Sequence, residues 1–578
     1  MRVGRAGWPR RTGVLLALGG LLAVSSACGA DTAHIADGAD VDRPSTPSTD
    51  LVRFENVAAD VGLEFRHGAF QWGTGPDPTA MMGGGLCWID YDRDGWLDLF
   101  VTNTWSNGEW GQWRKQGALP SSRLFHNESG SFVDVTEATS TGLETRANGC
   151  VAADLDLDGW TDLYVTTERE NVLLWNDGGD GFVDDANASG TSTFGWHSGA
   201  AVGDVDGNGW PDLFVAGYTD LNRPIAGATK GFPNTSEPEP DLLFLSDGPP
   251  TSGDARIQFR EVAAEVGIEP DGPNYGLGAV LSDLDRDGDL DLYVANDTQP
   301  NQLYENIPAD AGTGFRFVEV GGEAGVDDDG AGMGVASGDG NGDGRPDLVV
   351  TNQLRERHGV WWNVSDGDGP SFEDARASMG FADLGEGSTG WGVVWADVDL
   401  DTDLDLFFAH GAIPVRDLTE DGEPALLLEN RSANGDVGEF TDASATVGLD
   451  RLGPVLARGA AAADYDNDGD IDVALGTIGG DLVLLRNVGA GGHWIEVAMP
   501  TPVPGARVTV TLDDGTSLYR EIHAGSSYLS SEDPRAHFGL GSAERVASVS
   551  VEWPDGSTAR YDDVEADQIL EVEPGGHE

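Results

Sequence analysis

Seven times the chain places acidic or amide side chains at the first, third, fifth and ninth positions of a nine-residue stretch. The sets are Asp90, Asp92, Asp94 and Asp98; Asp154, Asp156, Asp158 and Asp162; Asp204, Asp206, Asn208 and Asp212; Asp283, Asp285, Asp287 and Asp291; Asp339, Asn341, Asp343 and Asp347; Asp397, Asp399, Asp401 and Asp405; and Asp464, Asp466, Asp468 and Asp472. A glycine at the sixth position permits a sharp turn in every copy but the sixth, which has Thr402. Carboxylates bent around such a turn converge on one point, where their repulsion is tolerable only around a cation. Hard oxygen donors select calcium, so the spacing predicts up to seven structural Ca2+ ions. Asp and Gly also favour ordinary solvated turns, but seven copies at one fixed spacing favour a ligand set.

What must position these loops is β structure. No acidic residue stands where an EF-hand places its bidentate glutamate, and no amphipathic helices flank the stretch. Each loop is instead followed by an apolar or aromatic run such as Leu99-Phe100-Val101 or Leu292-Tyr293-Val294, which reads as a buried strand. Five residues before each first Asp stands a glycine, namely Gly85, Gly149, Gly199, Gly278, Gly334, Gly392 and Gly459. Small residues fill the interval, as strands crowding a central axis require. A third segment ends in Asn or a similar residue (Asn127, Asn306, Asn430), and a fourth begins with Phe (Phe132, Phe182, Phe259, Phe317, Phe372, Phe440). The unit recurs at intervals of 50 to 79 residues, the range of propeller blades with insertions. The fourth segment is missing after the seventh loop, and a copy of it, Phe54-Glu55-Asn56-Val57, stands before the first. An N-terminal strand completing the last repeat leaves no free sheet edge. The expected fold is all-β: a seven-bladed β-propeller with Asp-rich calcium loops over residues 51–490, then a small antiparallel β-domain over residues 491–578. Alternation in Val508-Thr-Val510-Thr-Leu512 and Val549-Ser-Val551-Glu-Trp553 supports the second part.

These repeats resemble FG-GAP or VCBS-type repeats. The tail resembles the ASPIC/UnbV domain of cartilage-acidic-protein-like chains, through Gly505-Ala506-Arg507-Val508, Arg520-Glu521, Gly525 to Tyr528, His537-Phe538-Gly539-Leu540-Gly541 and Val551-Glu552-Trp553-Pro554-Asp555-Gly556. The tail departs from that motif at Ser531, where Gln is usual. The resemblance implies an extracellular calcium-binding propeller without a common established activity. His537 reads as a turn residue of the tail motif rather than a catalyst.

The formal net charge is −67, which makes nucleic acid and anionic lipid surfaces poor partners. Of the 33 basic residues only Lys115 and Lys230 are lysines. Residues 1–27 read as a lipoprotein-type signal peptide: Arg5, Arg10 and Arg11 precede the apolar stretch Val14 to Val24, and Ser25-Ser26-Ala27 precede Cys28. Cys28 is the expected lipidation site, with cleavage near Ala27 or Ala30 as the alternative. Residues 28–50 have the composition of a disordered tether. Membrane contact is therefore expected only through the N-terminal lipid, on the outer face of a bacterial cell membrane, with a monomeric propeller beyond it. Cys87 and Cys150 lie at offsets of three and four before their loop Asp, so their side chains should face opposite ways. They are expected to be buried free thiols rather than a disulfide.

Long connections follow the second strand of the first, third and sixth repeats and should gather on the face opposite the calcium loops. That face also receives Arg146, Asn148, Trp196, His197, Tyr275, Met333, Trp391 and Arg458, with Trp105, Trp110 and Trp113 in the first insertion. Exposed tryptophans beside Arg, Asn and His suit a sugar or another planar ligand, although aromatics also wedge between blades. The leading expectation is a non-enzymatic binding protein for an extracellular glycan or protein. The alternative is an enzyme of lyase or dehydratase type on polysaccharide or sugar derivatives, with His197 as base and Arg458 as electrostatic stabiliser.

Overall fold

The computed structural model describes residues 52–248, 257–367, 369–432, 440–489 and 491–574. The expected signal peptide, Cys28 and the whole of the expected tether, residues 28–50, lie outside them. No helix among the described residues is long and apolar enough to cross a membrane.

The chain is all-β. Residues 52–489 form seven four-stranded antiparallel sheets, each a meander in which the aspartate loop joins the first strand to the second. In the first sheet these strands are Leu86–Ile89, Asp98–Val101, Arg123–Asn127 and Phe132–Asp134. The seventh sheet takes its fourth strand from the other end: Phe54–Asn56 pairs with Val483–Asn487, Phe54 opposite Asn487. Branched and aromatic side chains alternate across each strand, so both faces of every sheet are apolar and must be covered. They are covered by one another. One cluster joins sheets one and two through Ile89, Phe100, Leu163 and Val165, and equivalent clusters join each successive pair. The last cluster joins sheet seven back to sheet one through Ala461, Ala463, Leu86 and Trp88.

This cyclic packing corrects the expectation for the two cysteines, which form a disulfide. Opposite parity would separate two side chains on one sheet. Cys87 and Cys150 lie on neighbouring sheets, where the forward face of one meets the backward face of the next, so opposite parity brings them together. Leu86 and Trp88 point back to sheet seven while Cys87 and Ile89 point on to sheet two.

The tail folds around its own core of Ile495, Val508, Val549, Phe538 and Trp553. One sheet is antiparallel, in the order Ser517–Glu521, Arg507–Thr511, Arg545–Glu552, Thr558–Glu565. The other departs from the expected antiparallel arrangement, because His493–Ala498 pairs antiparallel with Ala536–Gly541 but parallel with Gln568–Glu571. After Thr558–Glu565 the chain turns and crosses to the other sheet, arriving in the same direction as His493–Ala498.

Between the two tail sheets, residues 524–531 thread among the first strands of the repeats. The amide of Val202 donates to Ala524 O at 2.9 Å, Ser527 N to Val335 O at 2.6 Å, Cys150 N to Leu529 O at 3.2 Å and Ser531 N to Leu86 O at 3.1 Å. Backbone on both sides makes the axial positions glycine: a Cβ on Gly85 would overlap the Leu529 carbonyl oxygen of this segment, and one on Gly334 would overlap that of Trp391 in the next sheet's first strand. Ser531, the departure from the tail motif, pairs its N–H and C=O with Leu86 and Trp88, and its Oγ accepts from Ala152 N at 3.4 Å.

Candidate metal centres and the opposite face

All seven loops share one backbone conformation. The fourth position is left-handed, with φ from 53° at Leu157 and Asn467 to 72° at Gly342, and so is the sixth, from 82° at Gly344 to 104° at Gly288. Thr402 adopts φ 92° at that sixth position, inside the glycine range. A β-branched residue is strained there by about 1–3 kcal/mol. Thr402→Gly is therefore expected to raise the melting temperature, and an unchanged or lower midpoint in a thermal melt would show that the threonine has compensating contacts.

Each ligand position has its own role. The first-position carboxylate accepts the amides that close the turn, as when Asp94 N and Gly95 N each donate to Asp90 at 3.1 Å. The ninth-position carboxylate is buried and bridges two strands: Asp98 accepts from Tyr91 N at 3.1 Å and Asn127 N at 2.8 Å, and Asp162 from Leu155 N at 3.0 Å and Asn176 N at 2.8 Å. The third position divides the loops: Asp206, Asp285 and Asn341 each accept the fifth-position amide at 3.0 to 3.1 Å. Asp92 Oδ1, both oxygens of Asp399 and Asp466 Oδ1 are buried without a hydrogen-bond partner. Leaving such oxygens unpaired is costly. Oxygen atoms of Asp90, Asp92 and Asp94, of Asp154, Asp156 and Asp162, of Asp204, Asp206 and Asp212, and of Asp283, Asp285 and Asp287 lie within 4.8 Å of one another. Convergent oxygens lacking donors fit a bare divalent cation.

The electrostatics agree. Burial, then neighbouring carboxylates, pushes Asp401 up to about 10 and Asp399 to about 8. Burial raises Asp98 to about 7 against the opposing hydrogen bonds of His126 and Asn127. Asp90 and Asp154 rise to about 6 for the same reason.

The strand-end asparagines carry a second role that their spacing signalled but did not explain. Asn127 Nδ2 donates to Tyr465 O of the seventh loop at 2.8 Å, Asn176 to Tyr91 O of the first at 2.8 Å, and Asn306, Asn363, Asn430 and Asn487 repeat the bond to their preceding loops. Each side chain thus clasps its neighbour while its own backbone N–H holds the ninth-position Asp. The third sheet has Ser246 there, whose amide keeps the bond to Asp212 at 2.9 Å.

The tail lies over this loop face. Arg507 Nη1 pairs with Asp283 Oδ2 at 2.5 Å, Arg535 Nη2 donates to Asp464 O at 2.7 Å, and His537 Nε2 lies 2.9 Å from Gly469 O.

On the opposite face the residues singled out in the sequence are mostly interior. Trp105, Arg146, Asn148, Trp196, His197, Tyr275, Met333, Trp391 and Arg458 are buried, many of them under Phe70 and the helix Pro78–Met82. Arg458 stacks on Trp391, 3.9 Å from the ring centroid, and donates to the carbonyls of Met81 and Ala457 at 2.8 Å. His197 Nδ1 is 3.0 Å from Asn171 Nδ2, and burial holds the imidazole down to about 4. Arg146 pairs with Asp77 and Glu168, each at 2.5 Å. Tyr275 Oη donates to Ser236 O at 2.7 Å. The expected exposed aromatics reduce to Trp110, 52% exposed, and the half-buried Trp113. Trp72, which no pattern in the sequence marks, joins them 4.8 Å edge-on from Trp113. Phe194 is 66% exposed beside buried Trp196.

Comparison with known proteins places the chain. The FG-GAP-like repeat family matches residues 90–165, 154–215, 283–350 and 339–408, and the ASPIC and UnbV family matches residues 497–578. Cartilage acidic protein 1 of Homo sapiens is 32% identical over 332 residues, 55% of this chain and 46% of that protein. Its Xenopus tropicalis counterpart is 28% identical over 334 residues, 55% and 47% respectively. The chain spans about half the length of the curated relatives it matches. Among solved structures, an Agrocybe aegerita lectin recognising non-reducing terminal N-acetylglucosamine is similar at 16% identity and TM-score 0.34, covering 62% of this chain and 79% of that one. A Bacillus licheniformis rhamnogalacturonan lyase is similar at 13% identity and TM-score 0.34, covering 75% of each chain. The chain is an FG-GAP-like repeat protein with a C-terminal ASPIC and UnbV domain, similar over 55% of its length to cartilage acidic protein 1.

Proposed function

We propose that this protein is a calcium-stabilised, seven-bladed β-propeller that works outside the cell, held by a lipid on Cys28, and binds a glycan or protein ligand through the face opposite its aspartate loops. In this reading residues 28–50 are the tether, 51–490 the propeller and 491–578 the tail domain. The observation that carries it is the set of convergent loop carboxylates, with buried, donorless third-position oxygens at Asp92, Asp399 and Asp466. Calcium supplies charge neutralisation there and no chemistry, so Asp92, Asp399 and Asp466 act as structural ligands.

Because the tail covers the loop side, the opposite side is the one left for a ligand. Trp72, Trp110 and Trp113 offer flat apolar area there, and Arg114 lies over the Trp110 ring at 5.8 Å. A sugar ring stacks on such a surface while a cation meets its acidic substituents. His197 and Arg458 are engaged inside the fold, which favours binding over turnover at these residues.

The test is a glycan array and pull-down with the calcium-loaded protein, followed by calorimetry on any hit. Saturable binding that falls at least about tenfold in Trp110→Ala supports this reading, the loss corresponding to about 1.4 kcal/mol. Binding indifferent to Trp110 and Trp72, or turnover of the captured ligand, would overturn it.

A further inference from the structure

We infer that the residue just before each strand-end Asn, or before Ser246 in the third sheet, tunes the cation affinity of its own loop: Glu429 strengthens the sixth loop and Arg486 weakens the seventh. The inference rests on the calcium reading above.

The position is fixed by register. The next residue's amide bonds to the ninth-position Asp, as Asn127 N does to Asp98 at 2.8 Å and Asn430 N to Asp405 at 2.8 Å. The side chain before it therefore emerges beside the loop, and where it is charged it meets the third-position ligand. His126 Nδ1 lies 3.0 Å from Asp98 and 3.6 Å from Asp92. Arg486 Nη2 lies 2.8 Å from Asp466 and 3.2 Å from Asp468. Glu429 occupies the position of His126 and Arg486 and opposes the charge of Asp399, whereas at the fourth loop Arg507, 2.5 Å from Asp283, offsets Glu305. The second, third and fifth loops have Trp175, Leu245 and Trp362 there and receive no charge from this position; in the fifth, Arg345 pairs with Asp343 from within the loop.

The sixth loop is the extreme case. Its third ligand, Asp399, is 1% exposed and neither oxygen has a hydrogen-bond partner. Asp403 and the buried Glu429 add two acids to the four at ligand positions. Glu429 is itself held by Arg431, whose side chain is 54% exposed. At the seventh loop a guanidinium already stands against two ligand carboxylates, so an incoming ion meets a like charge at close range.

Chelator-competition calorimetry on the full chain tests this, with calcium as the probe. Glu429→Gln keeps shape and removes one charge, and is expected to weaken one tight site about tenfold without changing total stoichiometry in excess calcium. Arg486→Gln is expected to tighten one weak site by a similar factor. Arg431→Gln lies outside the loop and removes a countercharge from Glu429, so a tight site should become tighter. If calcium binds but Glu429→Gln and Arg486→Gln leave every site affinity unchanged, or Arg486→Gln weakens binding, the tuning is wrong while the calcium reading stands. If the parent protein binds no calcium, both fail.

Discussion

Removing divalent cations with EDTA near neutral pH is expected to lower the melting temperature on the order of 10 °C, and added calcium to restore it. Each ion present at about 100 times its dissociation constant stabilises the native state by about 2.7 kcal/mol. A few such sites therefore rival the whole stability of an ordinary domain, about 5–15 kcal/mol. The effect should depend on pH in a definite direction. Burial raises Asp90 and Asp154 to about 6 and Asp98, Asp283 and Asp464 to about 7 in the metal-free fold, above their unfolded values. The folded state then binds more protons than the unfolded one between about pH 4 and pH 7. Its stability without calcium is fully present below the unfolded range and is lost as pH rises through 6 to 7. Calcium replaces those protons, so its stabilisation should grow over the same window. Calorimetric melts at several pH values, with calcium or chelator, check both statements. A midpoint unmoved by EDTA at neutral pH would remove calcium from the account.

The part of the fold that is legible in the residues is the part governed by local, repeated rules. Asp at alternate positions before a Gly, a glycine five residues ahead and Phe at the start of a fourth segment set out seven sheets, and the displaced Phe54 segment discloses how the last is completed. Other features are not legible in this way because they depend on which faces meet. For Cys87 and Cys150, alternation along a strand misleads, since the rotation from one sheet to the next decides where they point. Trp196, Tyr275 and Trp391 belong by register to an open face, but Phe70 and Met81, which show no periodic signal, close over them. The asparagines are visible as strand ends, but their clasp links loops 79 to 101 residues away in the chain, or 338 for Asn127, distances no pattern of spacing conveys. Nor does the tail announce that residues 524–531 belong among the strands of the repeats.

That threaded segment is the basis of the second large effect. Tyr528→Ala is expected to destabilise the protein by about 3–5 kcal/mol, as removal of a fully buried aromatic does. Tyr528 is 0% exposed, its ring lies 4.9 Å edge-on from Trp391, and its hydroxyl donates to Met82 O at 2.9 Å. Trp391 in turn carries Arg458, whose guanidinium holds the carbonyls of Met81 and Gly411. One tail residue thus reaches through the repeats to the core beneath the opposite face, so its loss should loosen the segment around Pro78–Met82 as well as the tail. Tyr528→Phe keeps the ring and removes one hydrogen bond, and should cost only about 1 kcal/mol. Denaturant melts of the calcium-loaded protein give both values, and hydrogen exchange of peptides spanning residues 66–83 reports the transmitted effect. Equal losses in the two variants would assign the stabilisation to the hydroxyl rather than to packing. Unchanged exchange at residues 66–83 in Tyr528→Ala would show that the two ends of the threaded segment are independent.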